Sequence, residues 1–375
     1  MDAKKPFFSP NNPVLIALVI ALIFAGFVLL ESLKSPEQAN APASAQEENS
    51  IPEMMGKFGL QKAPELAGIS GYVNAEPNLT LASLKGKVVI VDFWTYSCIN
   101  CIRTTPYLNA WHEKYSDDGL VIIGVHAPEF EFEKDYSNVK SAVEKFGIKY
   151  PVVQDNDFAT WRAYSNQYWP HKFLVDADGY IRYDHIGEGG YSETEQKIVE
   201  LLKERDAAVE LESGAASGAV SPEFGRIGTP EIYLGYGFAR VQLGNPEGFR
   251  PEQIVPYSLP AQFTPNIAYL EGEWENKNDY ARLVSASGKV ALVFTAKNVN
   301  IVAGNMQGSS LITARIDNSS LNSSNAGTDA STPDFSVAVR DQKLYNVVSL
   351  PDYSQKTLVM DVNGAGFELY TFTFG

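Results

Sequence analysis

At 375 residues the chain exceeds one ordinary domain, so two domains with connecting segments are expected. Hydrophobic residues make up 45% and aromatics 12%, enough for real cores, while a formal charge of −15 argues against the basic stripe of a nucleic-acid binder. The only two cysteines, Cys98 and Cys101, sit three positions apart, which rules out a scaffold stapled by several disulfides and leaves chemistry as the better reason for keeping them.

Residues 1–13, which include Lys4 and Lys5, precede an apolar stretch from Val14 to Leu30 that carries no charge. At ~1.5 Å rise per residue this stretch and its flanks suffice for a bilayer core of roughly 30 Å. A transmembrane anchor is therefore predicted over 14–31, with the first 13 residues cytoplasmic and the bulk of the chain extracytoplasmic. Ala43-Ser44-Ala45 resembles a signal-peptide cleavage site but lies far beyond the usual distance from the apolar core, so the anchor is expected to stay uncleaved. Residues 32–57 are rich in Ala, Pro, Glu, Gln and Ser and read as a flexible linker spanning on the order of 30 Å.

Residues 58–205 alternate strand and helix patterns and form the first predicted domain. Lys87 to Trp94 is a near-continuous apolar run, as expected for a strand buried on both faces. A helix is predicted from Cys98 to near Tyr115, a strand from Leu120 to His126, and a helix from Val139 to Phe146 with Gly147 as its C′ residue. Tyr150 to Val153 comes next, then a short helix over Ala159 to Tyr164. Lys172 to Val175 and Tyr180 to Ile186 read as strands joined by the turn Asp176-Ala177-Asp178-Gly179. A last helix is expected from Glu193 to Glu204, with Ser192 as N-cap and Glu195 completing a capping box. Residues 206–227 read as a second linker. From 228 to 375 the pattern changes to short strands, clearest at Val290–Ala296, Asn300–Ala303, Leu311–Ile316, Thr357–Val362 and Phe367–Phe374, which suggests an all-β sandwich or jelly roll.

The chemistry concentrates in Asp92-Phe93-Trp94-Thr95-Tyr96-Ser97-Cys98-Ile99-Asn100-Cys101. A buried strand turns into a helix whose start carries Cys98, and the unpaired N–H groups of a helix start favour a thiolate. Cys101, three residues on, falls on the same side of the first turn. Cys98 is expected to attack a substrate disulfide and Cys101 to resolve the mixed disulfide. Asp92 is a carboxyl in an apolar strand, so burial should raise its pKa and suit it to accept the Cys101 proton. Zinc fits poorly, because a structural site usually needs four ligands and His112, His126, His171 and His185 are scattered.

These residues resemble the thioredoxin superfamily, specifically its exported TlpA/DipZ-like branch, through the Lys85–Trp94 strand followed by Cys98 and Cys101. Trp169-Pro170-His171-Lys172-Phe173-Leu174-Val175-Asp176 resembles the family segment whose proline is cis and packs against the disulfide. On that resemblance Pro170 shapes the site and Trp169 offers backbone to an extended substrate, with Trp94 and Tyr96 counted beside it as substrate-binding. Thr229–Gly235 and Glu368–Gly375 are similar to the β-domain that follows the thioredoxin domain in DipZ-like proteins. The resemblance implies an α/β thioredoxin-like domain followed by an all-β domain. It implies no cofactor beyond a redox-active Cys98–Cys101 disulfide, and exported disulfide-bearing proteins as substrates. A single anchor replaces the multi-helix electron-carrying domain often found in such proteins, so electrons would come from a separate membrane protein. The dipeptide Ile99-Asn100 lacks a cation between the thiols, which favours reduction or exchange over strong oxidation. Arg103 reads as a solvated helix residue or a thiolate neighbour.

Other readings have weaker support. Thr95 and Cys98 have the T-x-x-C spacing of a thiol peroxidase, but Val91 stands where that family carries proline. The β-domain resembles carbohydrate-binding modules, and Trp274, Tyr269, Tyr280 and Tyr345 are aromatic candidates for stacking on a glycan, in an adhesion or surface protein led by that domain. Aromatics in a small sandwich more often fill its core. Asp317, Asp329, Asp334 and Asp361 form no recognisable calcium loop.

Overall fold

Six strands, β1 (Gly71–Val73), β2 (Val88–Trp94), β3 (Leu120–His126), β4 (Val152–Gln154), β5 (His171–Val175) and β6 (Ile181–Ile186), form a mixed sheet in the order β1-β4-β3-β2-β5-β6. The computed structural model describes residues 59–208, 210–211, 213–214, 222–331 and 333–375. The expected anchor at 14–31 and the linker at 32–57 lie outside the described residues. No helix among the described residues is long and apolar enough to cross a membrane.

Strand β2 runs parallel to β3 on one side and antiparallel to β5 on the other. All its residues are buried, as the apolar run predicts. Alternation sends Val88, Ile90 and Trp94 to one core and Val89, Val91 and Phe93 to the other. The first core is capped by α1 (Ile99–Tyr115), α2 (Tyr136–Lys145) and α4 (Tyr191–Arg205), while α3 (Ala159–Ala163) lies between β4 and β5 in sequence. Gly147 follows α2 with φ +65, the left-handed geometry expected of a C′ residue.

The last helix corrects its predicted start. It begins at Tyr191, and its N-cap is Gly190 with φ +59 and no side-chain cap. A Cβ at Gly190 would sit 2.3 Å from the His185 ring, so the tight turn there requires glycine. Ser192 is therefore already helical, and Glu195 does not close a capping box. It turns inward instead, accepting from the Tyr115 hydroxyl at 2.7 Å and from Lys114 Nζ at 3.1 Å.

The C-terminal half is all β. Its strands are β7 (Ile232–Tyr233), β8 (Ile254–Tyr257), β9 (Ala268–Asn276), β10 (Ala281–Leu283), β11 (Ser287–Gly304), β12 (Ser310–Ile316), β13 (Ser319–Ser320), β14 (Val337–Val339), β15 (Lys343–Asn363) and β16 (Glu368–Phe374). The two strands predicted at Val290–Ala296 and Asn300–Ala303 are one strand, β11. Register shifts against β15 between Ala296 and Asn298, and again between Val299 and Asn300, interrupt the alternation without ending the strand. Its first half pairs with β9 and its second with β16, and β10 joins those two, so the pairing closes on itself around an apolar core. Trp274, Tyr269 and Tyr345 are buried and Tyr280 packs on the Tyr370 ring, so the aromatics considered for sugar stacking serve packing.

The two halves pack as one unit, Gly59–Gly375. Phe130 and Phe132, in the segment after β3, meet Tyr370 with ring centroids 5.1 and 4.8 Å apart. The Glu131 N–H donates to Asp279 Oδ2 at 3.1 Å. The end of the expected 206–227 linker is ordered: Phe224–Arg226 form a 3₁₀ turn, and Arg226 pairs with Asp352 at 2.8 Å.

Candidate active site

Helix α1 starts one residue after Cys98, which is its N-cap with extended backbone. Cys98 is half-buried, whereas Cys101 is 2% exposed. The first turn thus presents one sulfur and hides the other. Burial pushes the Cys101 thiol well above its ordinary pKa, and its hydrogen bond to Cys98 acts in the same direction. A protonated Cys101 beside an accessible Cys98 is the asymmetry that stepwise disulfide exchange needs.

Asp92 lies on the even-numbered face of β2, the face that α1 covers. It is buried, and desolvation lifts its carboxyl to about 7 against the pull of Lys172. The register sets Asp92 directly opposite Lys172 on β5. Burial lowers the Lys172 pKa, an effect opposed by Asp92, Cys101 and Glu188, and its ammonium donates to the Gly187 carbonyl at 3.1 Å. Asp92 Oδ1 has no hydrogen-bond partner. A buried carboxyl that is near half-protonation at neutral pH, with an acceptor oxygen to spare, can take a proton from a neighbour. Lys172 belongs to no motif that marks it as functional. The available signal was a second charge at a strand position flanked by His171 and Phe173-Leu174-Val175.

The loop before Cys98 is held by Glu133, which is buried. Glu133 accepts from the Ser97 hydroxyl at 2.6 Å, the Ser97 N–H at 3.4 Å, the Glu129 N–H at 2.6 Å and the Phe130 N–H at 3.0 Å. Burial raises its pKa while these donors lower it. Glu133→Gln replaces one acceptor oxygen by a donor facing N–H groups. The variant is expected to lose about 1–3 kcal/mol of stability, measured by urea unfolding; a loss below about 0.5 kcal/mol would show that the clamp is not structural.

Trp94 and Tyr96 require correction as substrate-binding residues. Both are buried against His126: Trp94 meets its ring edge-on at 5.3 Å and Tyr96 stacks on it at 5.7 Å. Neither lines the cleft at Cys98. Strand pleating turns Trp94 inward, and stacking on His126 holds Tyr96. His126 is fully buried, which drives its pKa down to about 3, and its Nε2 lies 3.3 Å from the Thr95 hydroxyl.

Trp169 and Pro170 are joined by a cis peptide bond and lie in the loop entering β5. The Trp169 indole N–H donates to the Ala127 carbonyl at 3.0 Å and its ring lies 4.3 Å from that of Trp161. Arg103 pairs with Glu188 at 3.2 Å, one of the two environments expected for it being thereby replaced by an ion pair. A cleft of about 540 Å³ opens at Cys98. The N-terminal α/β half contributes Ser97, Ile99, Asn100, Glu129, Tyr168 and Trp169, and the β half contributes Glu231, Tyr233, Arg240, Thr373 and Phe374 among others. No sequence motif marks this second wall.

Two family models match the chain: "Redoxin" over residues 61–202 and "Thioredoxin like C-terminal domain" over residues 229–375. Protein DipZ of Mycobacterium bovis is 39% identical over 246 residues, which is 64% of this chain and 35% of that protein. The chain thus spans about a third of the length of that relative. The thiol-disulfide oxidoreductase YkuV of Bacillus subtilis is 31% identical over 147 residues, 39% of this chain and 97% of YkuV. The thiol-disulfide oxidoreductase ResA of Bacillus thuringiensis is 33% identical over 125 residues, 33% of this chain and 67% of ResA.

Proposed function

The chain belongs to the thioredoxin-like thiol–disulfide oxidoreductases, and from that premise we propose that it reduces or exchanges disulfides of exported proteins through Cys98 and Cys101, tethered to the extracytoplasmic face of a membrane. One observation carries the assignment of roles: Cys98 is accessible at the head of α1 while Cys101 is buried behind it.

The Cys98 thiolate attacks one sulfur of the substrate disulfide. A Cys98–substrate disulfide forms, the substrate S–S bond breaks, and the other substrate sulfur leaves as a thiolate. Cys101 then gives its proton to the Asp92 carboxylate and attacks the Cys98 sulfur, forming the Cys98–Cys101 bond and releasing the second substrate thiolate. The substrate gains two electrons and the chain loses two. Lys172, opposite Asp92, offsets the buried negative charge during the transfer. The half-exposed Trp169 borders the cleft, which supports its proposed place beside an extended substrate, with Pro170 shaping the loop. Return to the dithiol takes two electrons from a donor, which in this reading is a separate membrane protein. The uncharged Ile99-Asn100 supports the reducing or exchanging direction.

Cys101→Ser removes the resolving step and is expected to accumulate mixed disulfides at Cys98 that dithiothreitol releases. Non-reducing electrophoresis followed by mass spectrometry reads the adducts. A variant with a titratable Cys98 and no adducts would refute exchange chemistry at this site.

A further inference from the structure

The wall of the cleft that faces Cys98 from the β half has its own pattern. Strand β16 pairs with β7 so that Thr371 opposes Tyr233 and Phe372 opposes Ile232. Extended by one residue, this register sets Thr373 beside Glu231. Ile232, Leu234 and Phe372 enter the core, and alternation turns Glu231, Tyr233, Thr371 and Thr373 towards the cleft they line.

The hydrogen bonds on this face are incomplete. The Thr371 hydroxyl donates to the Ile232 carbonyl at 3.1 Å. Thr373 is 4% exposed and its hydroxyl has no partner. The Tyr233 hydroxyl lies 2.6 Å from Glu129 Oε1 and 3.2 Å from Glu231 Oε2, but a phenol carries one proton and can satisfy one carboxylate at a time. Arg240 lies over the Tyr233 ring at 5.6 Å, and among the described residues no ion pair joins it to either carboxyl. Two carboxyls therefore share one phenolic hydroxyl in a cleft that also holds the unpartnered Thr373 hydroxyl. A donor-rich cation arriving from outside completes such an arrangement.

We propose that this face selects the polypeptide flanking the substrate disulfide, binding a basic side chain between Glu129 and Glu231 and a further donor on Thr373. The proposal rests on Cys98 being the exchange nucleophile, because the cleft places the two together. A volume of about 540 Å³ is in the usual range of ligand sites, about 300–1,000 Å³. The β half thereby acts as a specificity wall for chemistry performed by the other half. The bound cation displaces the proton that Glu129 otherwise holds. Burial, Glu133 and Glu231 raise that carboxyl to about 8, with Tyr233 and Arg240 opposing.

The test compares disulfide-bonded peptides that are identical except for arginine, alanine or glutamate two positions from the cysteine, using the full-length chain. The kcat/KM ratio of the arginine to the alanine peptide is expected to be about tenfold, the factor that 1.4 kcal/mol of preferential binding gives. Glu231→Gln should bring the ratio close to one, and Glu231→Lys should shift preference to the glutamate peptide. Thr373→Val, which keeps the shape and removes the hydroxyl, should reduce the ratio severalfold. In the unmutated chain the ratio should rise between pH 6 and 9, and any pH dependence of the exchange step itself cancels because both peptides share it. Equal turnover of the peptides, or a preference untouched by Glu231→Gln and Glu231→Lys, would overturn the selection site and leave the exchange chemistry standing. No turnover of any peptide would overturn both.

Discussion

Cys98→Ser is expected to lower kcat/KM for reduction of insulin disulfides by at least on the order of a thousandfold, leaving the fold intact. The size follows from the burial of the other sulfur. With Cys98 gone, the remaining thiol is Cys101, which is 2% exposed and held protonated by its surroundings. A protonated thiol is a poor nucleophile, and a buried one cannot meet a protein disulfide. Because Cys98 is an N-cap that makes no side-chain cap hydrogen bond, and serine is a good N-cap, the helix should not weaken. Insulin-precipitation kinetics measures the activity, and circular dichroism with urea unfolding checks the fold. Activity within tenfold of the unmutated chain would reassign the nucleophile.

Asp92→Asn is expected to have two opposite effects. It removes the acceptor for the Cys101 proton, so the second step, decay of a preformed mixed disulfide, should slow by about 100-fold, the lower end of what a general base contributes. In the unmutated chain that decay should quicken as pH rises through about 7, as the Asp92 carboxyl loses its proton, and the inflection should vanish in the variant. Rapid-quench sampling across pH 5 to 9 follows both. The second effect concerns stability. The folded carboxyl titrates near 7 and an ordinary aspartate near 3.8, so between these values the folded chain keeps a proton that the unfolded chain has released. Stability due to this group accordingly falls as pH rises through that window, and the whole penalty is present above it. Asparagine has no such penalty. The variant should gain about 1–3 kcal/mol at pH 8, below the roughly 4 kcal/mol a shift of this size represents, because Lys172 loses its counter-charge. A variant that is both slower and less stable would mean that Asp92 is a structural partner of Lys172 rather than a proton acceptor.

These expectations concern a device built from strand pairing. Asp92 and Lys172 face each other because β2 and β5 are antiparallel neighbours, and Cys101 lies over them because α1 follows β2 directly and covers its even-numbered face. The same logic recurs across the cleft, where β7 and β16 bring Glu231 and Thr373 together. In both cases residues far apart in the chain gain their chemistry from register. The clamp from Glu133 to Ser97 joins the two sites, since the same carboxylate also holds the N–H of Glu129.

What the sequence determined by itself is local. The unbroken apolar run at Val88–Trp94 dictates a strand buried on both faces. Position then makes Cys98 the head of a helix and Cys101 its first-turn partner, because the helical period is short-range. Leu120–His126 and the Asp176–Gly179 turn were legible for the same reason. Asp92 stood out as a charge in an apolar run. Tertiary structure alone decided the rest. Lys172 becomes relevant only once β5 lies beside β2, and Glu195 leaves its predicted cap because Gly190 starts the helix early and Tyr115 and Lys114 offer it donors. Trp94 and Tyr96, expected to bind substrate, pack instead on His126, which on the next strand gives their rings a buried partner. The second wall of the cleft comes from residues more than a hundred positions beyond Cys98, and no pattern of period 2 or 3.6 in either segment reports that they meet.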